Sequence, residues 1–484
     1  MKKLKVVLRC TGRTLLVLLA ILALFILEEN LRGRIMLSRY KAELRAKGEK
    51  LTLAELDLPK LPKEGNGADE LLEAAKELGA HKKEWPLAGL GVSARKMIAP
   101  GKALVLFGRE RMIDPTKPWN TNAPPELEWT DLEKEMAEAG PILQKARTAL
   151  RQTVVFEVSH EGAQSQVPPH YEPLRNLARW LYSSAVLNLH QRRLDTAIDD
   201  LEALNSLGRS FRGDSLVLSE LVRYAVDGIG LETAWAILQA PELNEIQLQR
   251  LDGLLNSDGT LTDLARTAEA DRVITERTFS EARRSIYSPH LWRPADSRDY
   301  VLYWMWAAAW FEQDELNSLR TTQAIIDCAR GAAHARSFVE GRSQARLNDR
   351  GLKPWFAGRR VFPFISSIFG PEDAIGIVSK AAQIETQREM TQTVVALKRY
   401  RLRHETLPSE LAAVVPELLT KLPMDYMDGR PLRYKLNGRD SFVLYSVGKD
   451  CVDDGGDPTQ TEVSTSYWMW WGRDAVWPQA ASER

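Results

Sequence analysis

The sequence predicts a mainly α protein with three parts: an N-terminal transmembrane helix, a large helical-hairpin region, and a small C-terminal α+β module. Three observations carry this. The chain opens on one charge-free apolar run. Its middle places apolar residues three and four apart over long stretches, the period of a helix with one buried face. Its C-terminal part turns to short β-rich pieces separated by proline and glycine.

The apolar run is Thr14–Leu27, preceded by Lys2, Lys3, Lys5, Arg9 and Arg13 and followed directly by Glu28 and Glu29. Fourteen helical residues cover about 21 Å, short of the roughly 30 Å of a hydrocarbon core. Leu4–Leu8 and snorkelling Arg9 and Arg13 lengthen the span. A cleavable signal peptide has the same basic start and needs small residues at its cut site, whereas this run ends Leu27-Glu28-Glu29-Asn30. An uncleaved signal anchor is therefore expected, ahead of a cleaved signal or a buried core helix. The positive-inside rule puts Met1 in the cytoplasm and residues 30–484 on the extracytoplasmic side of the membrane. Arg32, Arg34, Arg39 and Lys41 soften that charge asymmetry.

The bulk properties narrow the partners. Lys+Arg and Asp+Glu are 65 each, so the chain lacks the basic surplus that a nucleic-acid partner calls for. Three cysteines are too few for a disulfide framework, although Cys328 and Cys451 could pair in an oxidising compartment. Fourteen tryptophans point to packing between helices.

In chain order, residues 1–28 form the basic leader and anchor. Residues 29–68 read as a charged helical stalk and a linker, the latter in the proline- and glycine-bearing Asp57–Ala68. Residues 69–173 are an irregular mixed region. It contains a helix over Trp129–Gln152, expected to break at Gly140-Pro141, and a β-branched Thr153–Ser159 expected as a strand. Residues 174–370 are the α-helical region. Leu174, Leu177, Ala178, Leu181, Ala185 and Leu189 share one helical face; after a break at His190–Arg193, Leu194, Ala197, Ile198, Leu201, Leu204 and Leu207 share another. Such a pair makes a helical hairpin. With its alanine-bearing first helix and Arg192–Leu204 as the second, it resembles a tetratricopeptide repeat, but no repeat continues at 34 residues, so TPR-like packing is expected. The run Tyr300–Phe311 is too short and too closely flanked by charge to span a bilayer and reads as a buried helix. The arginines at 330, 336, 342, 346, 350, 359 and 360 read as a solvated, ion-paired face, with a phosphate or anionic-lipid contact as the alternative.

Residues 371–471 hold a long helix and the α+β module, and 472–484 a tail. Leu407-Pro408 stops the helix, with Ser409 placed to cap a short following one. A turn at Asp428-Gly429 follows, then two strands around Asn437-Gly438, a hairpin signal. The order Leu407-Pro408, Leu422-Pro423-Met424-Asp425, Gly429-Arg430-Pro431, Tyr434 and Tyr445-Ser446-Val447-Gly448-Lys449-Asp450 resembles the C-terminal module of the major pseudopilin of type II secretion. The likeness covers about 65 residues. The chain as a whole looks like a class of uncharacterised, membrane-anchored bacterial proteins that join this module to a helical region, which implies a bacterial inner membrane with residues 30–484 on its periplasmic side. The anchor departs from the pseudopilin pattern, since Gly12 is followed by Arg13 and the fifth position is Val17, not glutamate. Processing by a prepilin peptidase is thus not implied.

The resemblance implies the fold of the module and a calcium-binding acidic loop. Asp450, Asp453, Asp454 and Asp457 supply carboxylates of the kind calcium takes, beside Gly455-Gly456. The spacing is not that of an EF-hand, and a solvated acidic turn is the alternative. Tyr467-Trp468-Met469-Trp470-Trp471 reads as a packing cluster ahead of a sugar-stacking one.

No zinc-protease, dithiol, nucleophile-elbow, P-loop or dinucleotide motif occurs, and catalytic residues stay unassigned. His160-Glu161 and His170 share a loop without a recognisable spacing. The expected function is a scaffold or protein-interaction protein of the cell envelope, with a protein partner there and the membrane bound through residues 14–27. The alternatives are an envelope hydrolase with a carboxylate-based site in the helical region, and a component of a type II secretion or pilus-like assembly.

Overall fold

The computed structural model describes residues 2–56, 65–82, 86–87, 97–109, 112, 128–156, 168–256, 259–285, 303–348, 371–461 and 468–481. The protein is mainly α, with small sheets near its C-terminus. Its first helix, α1, runs Lys2–Ala46 without a break, and its part from Gly12 onward is long and apolar enough to cross a membrane. The apolar side chains of that part are exposed, among them Leu16 and Leu24. The other helices are α2 Ala68–His81, α3 Trp129–Leu150, α4 Tyr171–His190, α5 Leu194–Ser210, α6 Val217–Leu238, α7 Glu245–Leu254, α8 Thr260–Ser285, α9 Phe311–Ala335, α10 Phe338–Asn348 and α11 Pro371–His404.

The α4–α5 hairpin forms as its periodicity requires. All six predicted core residues of α4 are buried, as are Ala197, Ile198, Leu201, Leu204 and Leu207 of α5. The two ends of this hairpin serve different cores. Leu174, Leu177 and Leu181 join α2 and α3 in one cluster. Ala185, Leu189, Ile198 and Leu201 join α6, α7, α8, α9 and α11 in a larger one. Between α9 and α10 the chain turns at Arg336, φ 51°. The two helices then cross closely: a Cβ on Gly341 would stand 2.3 Å from the Cys328 carbonyl oxygen. Only glycine permits that approach.

Several expectations need correction. Helix α3 does not break at Gly140-Pro141 but passes through Pro141. An interior proline costs about 3 kcal/mol, but the buried residues on both sides of it, from Leu132 and Met136 to Leu143 and Ala146, keep the helix whole. Thr153 makes only an isolated bridge to Asn66, and residues 157–159 lie outside the described residues. Ser409 does not cap; the short helix after it is a 3-10 turn, Leu411–Val414, whose first flanking residue is Glu410. The stretch after the anchor is not a free stalk. Its Leu37 packs on Leu316 and Leu319 of α9, with Met36 and Tyr40 at the margin. Residues 57–64 of the linker lie outside the described residues.

The C-terminal module is built on a hairpin of β5 Arg433–Asn437 and β6 Ser441–Ser446, closed by Asn437 opposite Ser441 with Gly438 at φ 76°. β7, Ala475–Val476, extends it antiparallel to β6. β3 Met424–Asp425 and β4 Arg430–Pro431 form a separate two-stranded pair. The expected tail is therefore part of the fold. Its last strand, β8 Gln479–Ala480, lies parallel to β2 Lys102–Ala103, which pairs in turn with β1 Met97–Ala99. Trp235 Nε1 donates to the Pro478 carbonyl at 3.1 Å, tying this end to α6.

Candidate functional sites: anchor clamp, C-terminal hub and helical interior

Helix α1 enters the body through a clamp of charged groups. The buried Glu29 accepts from Gln313 Nε2 at 2.6 Å and pairs with Arg32 at 3.3 Å. Lys41 reaches Glu276 on α8 at 2.5 Å and also Glu315 on α9, whose other oxygen holds Arg283 at 2.5 Å. Just beyond the helix, Glu49 receives Arg272 at 2.9 Å and Arg330 at 2.5 Å, with Gln323 at 3.2 Å. Partial burial pushes the Glu49 carboxyl up, but Arg330 and Arg272 outweigh it and hold the group below its ordinary range. Arg272 is fully buried and also donates to the Lys50 carbonyl at 2.8 Å. Arg330, the first of the basic stretch, is thus a structural ion-pair residue, and Arg342 lies over the Phe338 ring. Residues 350, 359 and 360 lie outside the described residues.

The C-terminal module has a different centre. Asp425 is fully buried, and both its oxygens are filled. Oδ1 accepts from the Met427 amide at 3.0 Å and Ser446 Oγ at 2.8 Å. Oδ2 accepts from the Val447 amide and from Arg433 Nη1, each at 2.9 Å. The aspartate of Leu422-Pro423-Met424-Asp425 therefore holds the Tyr445-Ser446-Val447-Gly448 segment directly. Burial pushes its carboxyl up to about 6 against these donors. Tyr434 Oη donates to the Pro408 carbonyl at 2.8 Å, which joins two more of the motif's pieces. Gly448, at φ 72°, lies so close to the Arg473 carbonyl that a Cβ would stand 2.5 Å from it.

The acidic loop after Asp450 winds around a carboxylate. Asp474, fully buried, accepts from the amides of Asp454 at 3.3 Å, Gly456 at 2.6 Å and Asp457 at 3.0 Å. Gly455 and Gly456, at φ 79° and 89°, let these N–H groups converge. The predicted calcium ligands face other groups. Asp450 accepts from the Val452 amide at 3.1 Å, and Asp457 from the Thr459 amide at 2.9 Å. Asp453 accepts from the Gly455 amide, Tyr445 Oη and Arg433 Nε. Asp454 and Asp457 each lie 3.7 Å from Arg473. Among the described residues no three such side chains come together as ligands of one ion. Asp474 escaped the sequence reading because it stands alone between Arg473 and Ala475, with no spacing to mark it. Trp470 is buried, with Gln387 Oε1 at 3.4 Å from its Nε1; Trp468 lies under Lys449, and Tyr467 is outside the described residues.

The helical interior holds a third polar group. His170 Nε2 lies 3.3 Å from Asp214 Oδ2, with the Phe156 ring stacked on the imidazole at 4.3 Å. Burial, then the Asp214 charge, pushes the neighbouring Tyr171 hydroxyl well up. Asp271 keeps some surface, yet desolvation pushes its carboxyl up to about 7, countered only by the Val217 amide. One helix turn away, Glu220 pairs with Arg223 at 2.6 Å, and Arg223 with Asp263 at 3.2 Å. His160 and Glu161 lie outside the described residues. A cavity between Leu104, Phe107, Tyr182, Glu232 and Trp235 has room for about one water. Cys328, buried, and Cys451 are both free thiols. No protein-family model, curated protein or solved structure matches the chain.

Proposed function

We propose that the protein is a membrane-anchored scaffold of the bacterial cell envelope. Residues 30–484 stand on the periplasmic side of the inner membrane, offering a helical surface to a protein partner. The observation that carries this reading is the unbroken α1. One helix provides both the apolar span and the bonds that fix the body to it: a hydrogen bond from Gln313 to Glu29, and ion pairs at Lys41 and the adjoining Glu49. A chain built this way holds its body at a set height and tilt, as a scaffold requires. The test is photocrosslinking in cells from exposed positions on α5 and α7, such as Ile246, 77% exposed. One partner band is expected, lost on Ile246→Glu. Absence of any crosslinked partner from the whole 174–255 surface would remove the reading. Protease protection of residues 30–484 in spheroplasts tests the orientation; digestion only from the cytoplasmic side would reverse it.

A second reading, an envelope hydrolase, is favoured by the group of His170, Asp214, Tyr171 and Asp271. A carboxyl titrating near 7 is suited to general acid–base work. Hydrolysis of envelope polymers that Asp271→Asn abolishes, with the melting temperature retained, would establish it. The meeting of Asp425 with Ser446 and Val447 favours the pseudopilin-like reading of the module. A role in a secretion or pilus-like assembly follows only if deleting the gene blocks export of a protein.

A further inference from the structure

The chain from Tyr303 to Phe311 carries no charge and holds Tyr303, Trp304, Trp306 and Trp310. It is helical, with a π-helical turn over Trp306–Trp310 that leads directly into α9. One side of it belongs to the body: Trp306 and Phe311 are buried against Phe279 of α8. The expected buried helix packs on the body through one side only: Trp304 is 47% exposed, and Ala308 is exposed as well. A single half-exposed ring needs no cover by itself; its place beside α1 is what bears on function.

The register between α1 and α9 shows where this ring stands. The two helices run parallel. Gly33 faces Glu312 and Gln313, Leu37 packs on Leu316 and Leu319, and Tyr40 lies under Arg320. Toward the N-terminus the pairing continues. Asn30 Nδ2 donates to the Ala308 carbonyl at 3.0 Å. Outside this register, the Trp310 ring reaches back to Phe25 and meets it edge to face at 6.4 Å. Carried back four residues from Ala308, the same register sets Trp304 level with the last turn of the Thr14–Leu27 apolar run. Four residues are about 6 Å of helix. An uncharged aromatic segment at that depth beside a spanning helix has the chemistry of a membrane-interface anchor.

We propose that Tyr303–Trp310 is a second, non-spanning membrane contact: an aromatic foot in which Trp304 enters the headgroup–acyl boundary of the outward-facing leaflet beside α1. The occupant of this exposed face is the lipid bilayer. The inference rests on the anchor reading and adds to it that the body touches the membrane at two places.

The test uses the full chain with Cys10→Ser and Cys451→Ser, leaving the buried Cys328, reconstituted in phosphatidylcholine vesicles. An environment-sensitive fluorophore is placed in turn at Trp304→Cys, Ala308→Cys, Leu19→Cys and Ile246→Cys. Lipids brominated at shallow or deep acyl carbons serve as quenchers. The label at 304 is expected to be quenched more by shallow than by deep bromines, with blue-shifted emission. The label at 308, a small exposed site where substitution leaves packing intact, should follow it. The label at 19 should be quenched more by deep bromines, and the label at 246 by neither. Quenching at 19 with 304 and 308 behaving like 246 would overturn the foot and leave the anchor standing. No quenching at 19 would overturn both.

Discussion

The clamp on α1 and the C-terminal module both gather charge, and they balance it in opposite ways. In the clamp, long side chains from distant parts of the chain meet: Glu49 with Arg272 and Arg330, Lys41 with Glu276 and Glu315. Each carboxylate is offset by a cation, and the product is register between rigid helices. In the module, Asp474 is offset by backbone N–H groups, and Asp425 by two amides beside Ser446 and Arg433; the product is the shape of loops. Ion pairs suit helices, whose own N–H groups are already used. Loops have free N–H groups, and a buried carboxylate can collect them.

The largest expected effect lies in the clamp. Arg272→Met leaves Glu49 beside apolar surface with one cation fewer. Removing one member of a buried pair costs about 3–5 kcal/mol. Urea unfolding of the detergent-solubilised chain should show that loss, and Glu49→Gln in the same chain should recover part of it. Additive losses would mean the two are not coupled. Asp474→Ala comes next, at about 2 kcal/mol, since the orphaned amides of Gly456 and Asp457 can turn to water. Hydrogen exchange at those two amides should rise while the amides of α9 stay protected; equal exchange in both would make the loop and body one unit.

Smaller again is an opposition in pH dependence. The Glu49 pKa is lowered in the fold, so its contribution is present above 4.5 and lost as pH falls through the lower folded value. The Asp425 pKa is raised from 3.8 to about 6, so its contribution is full below 3.8 and lost as pH rises through about 6. Between these limits acidification should tighten the module by about 1–2 kcal/mol while the clamp holds. Exchange at the Val447 amide across that window reads the sign, and slower exchange at higher pH, after correction for the intrinsic rate, would refute it. The smallest expected effect is that of calcium. Saturating ligand at one hundred times its dissociation constant would add about 2.7 kcal/mol. A loop already wound around Asp474, with Arg433 and Arg473 at its carboxylates, is expected to show no rise in melting temperature. A rise abolished by Asp453→Ala with Asp454→Ala would instead make the loop an ion site.

Legibility in the sequence followed the range of the interaction. The α4–α5 hairpin was readable because burial of Leu174, Leu181 or Leu201 repeats every turn. The α+β character of the module was readable because the Asn437-Gly438 turn stands between two short β-rich stretches. What escaped was long-range and polar. The segment after the anchor has only a partial apolar stripe, and its hold on the body comes from residues more than 200 positions away, Glu276 and Arg272 among them. Pro141 suggested a break because a local rule sees the lost hydrogen bond and not the packing on either side. Asp271 carries no signal at all, since its raised pKa comes from surroundings assembled by other helices.

The continuity of α1 also sets how this protein meets anything else. A body on a flexible tether sweeps a hemisphere above the bilayer and presents every face in turn. At about 1.5 Å per residue, the 45 residues of α1 make a rod about 68 Å long, and its outer part is fixed to the body. Once the inner part is set in a bilayer, the body keeps two freedoms: drift in the plane and spin about the normal. Encounters with other molecules in that bilayer become two-dimensional, and any face turned up, down or sideways stands at the same height in every molecule.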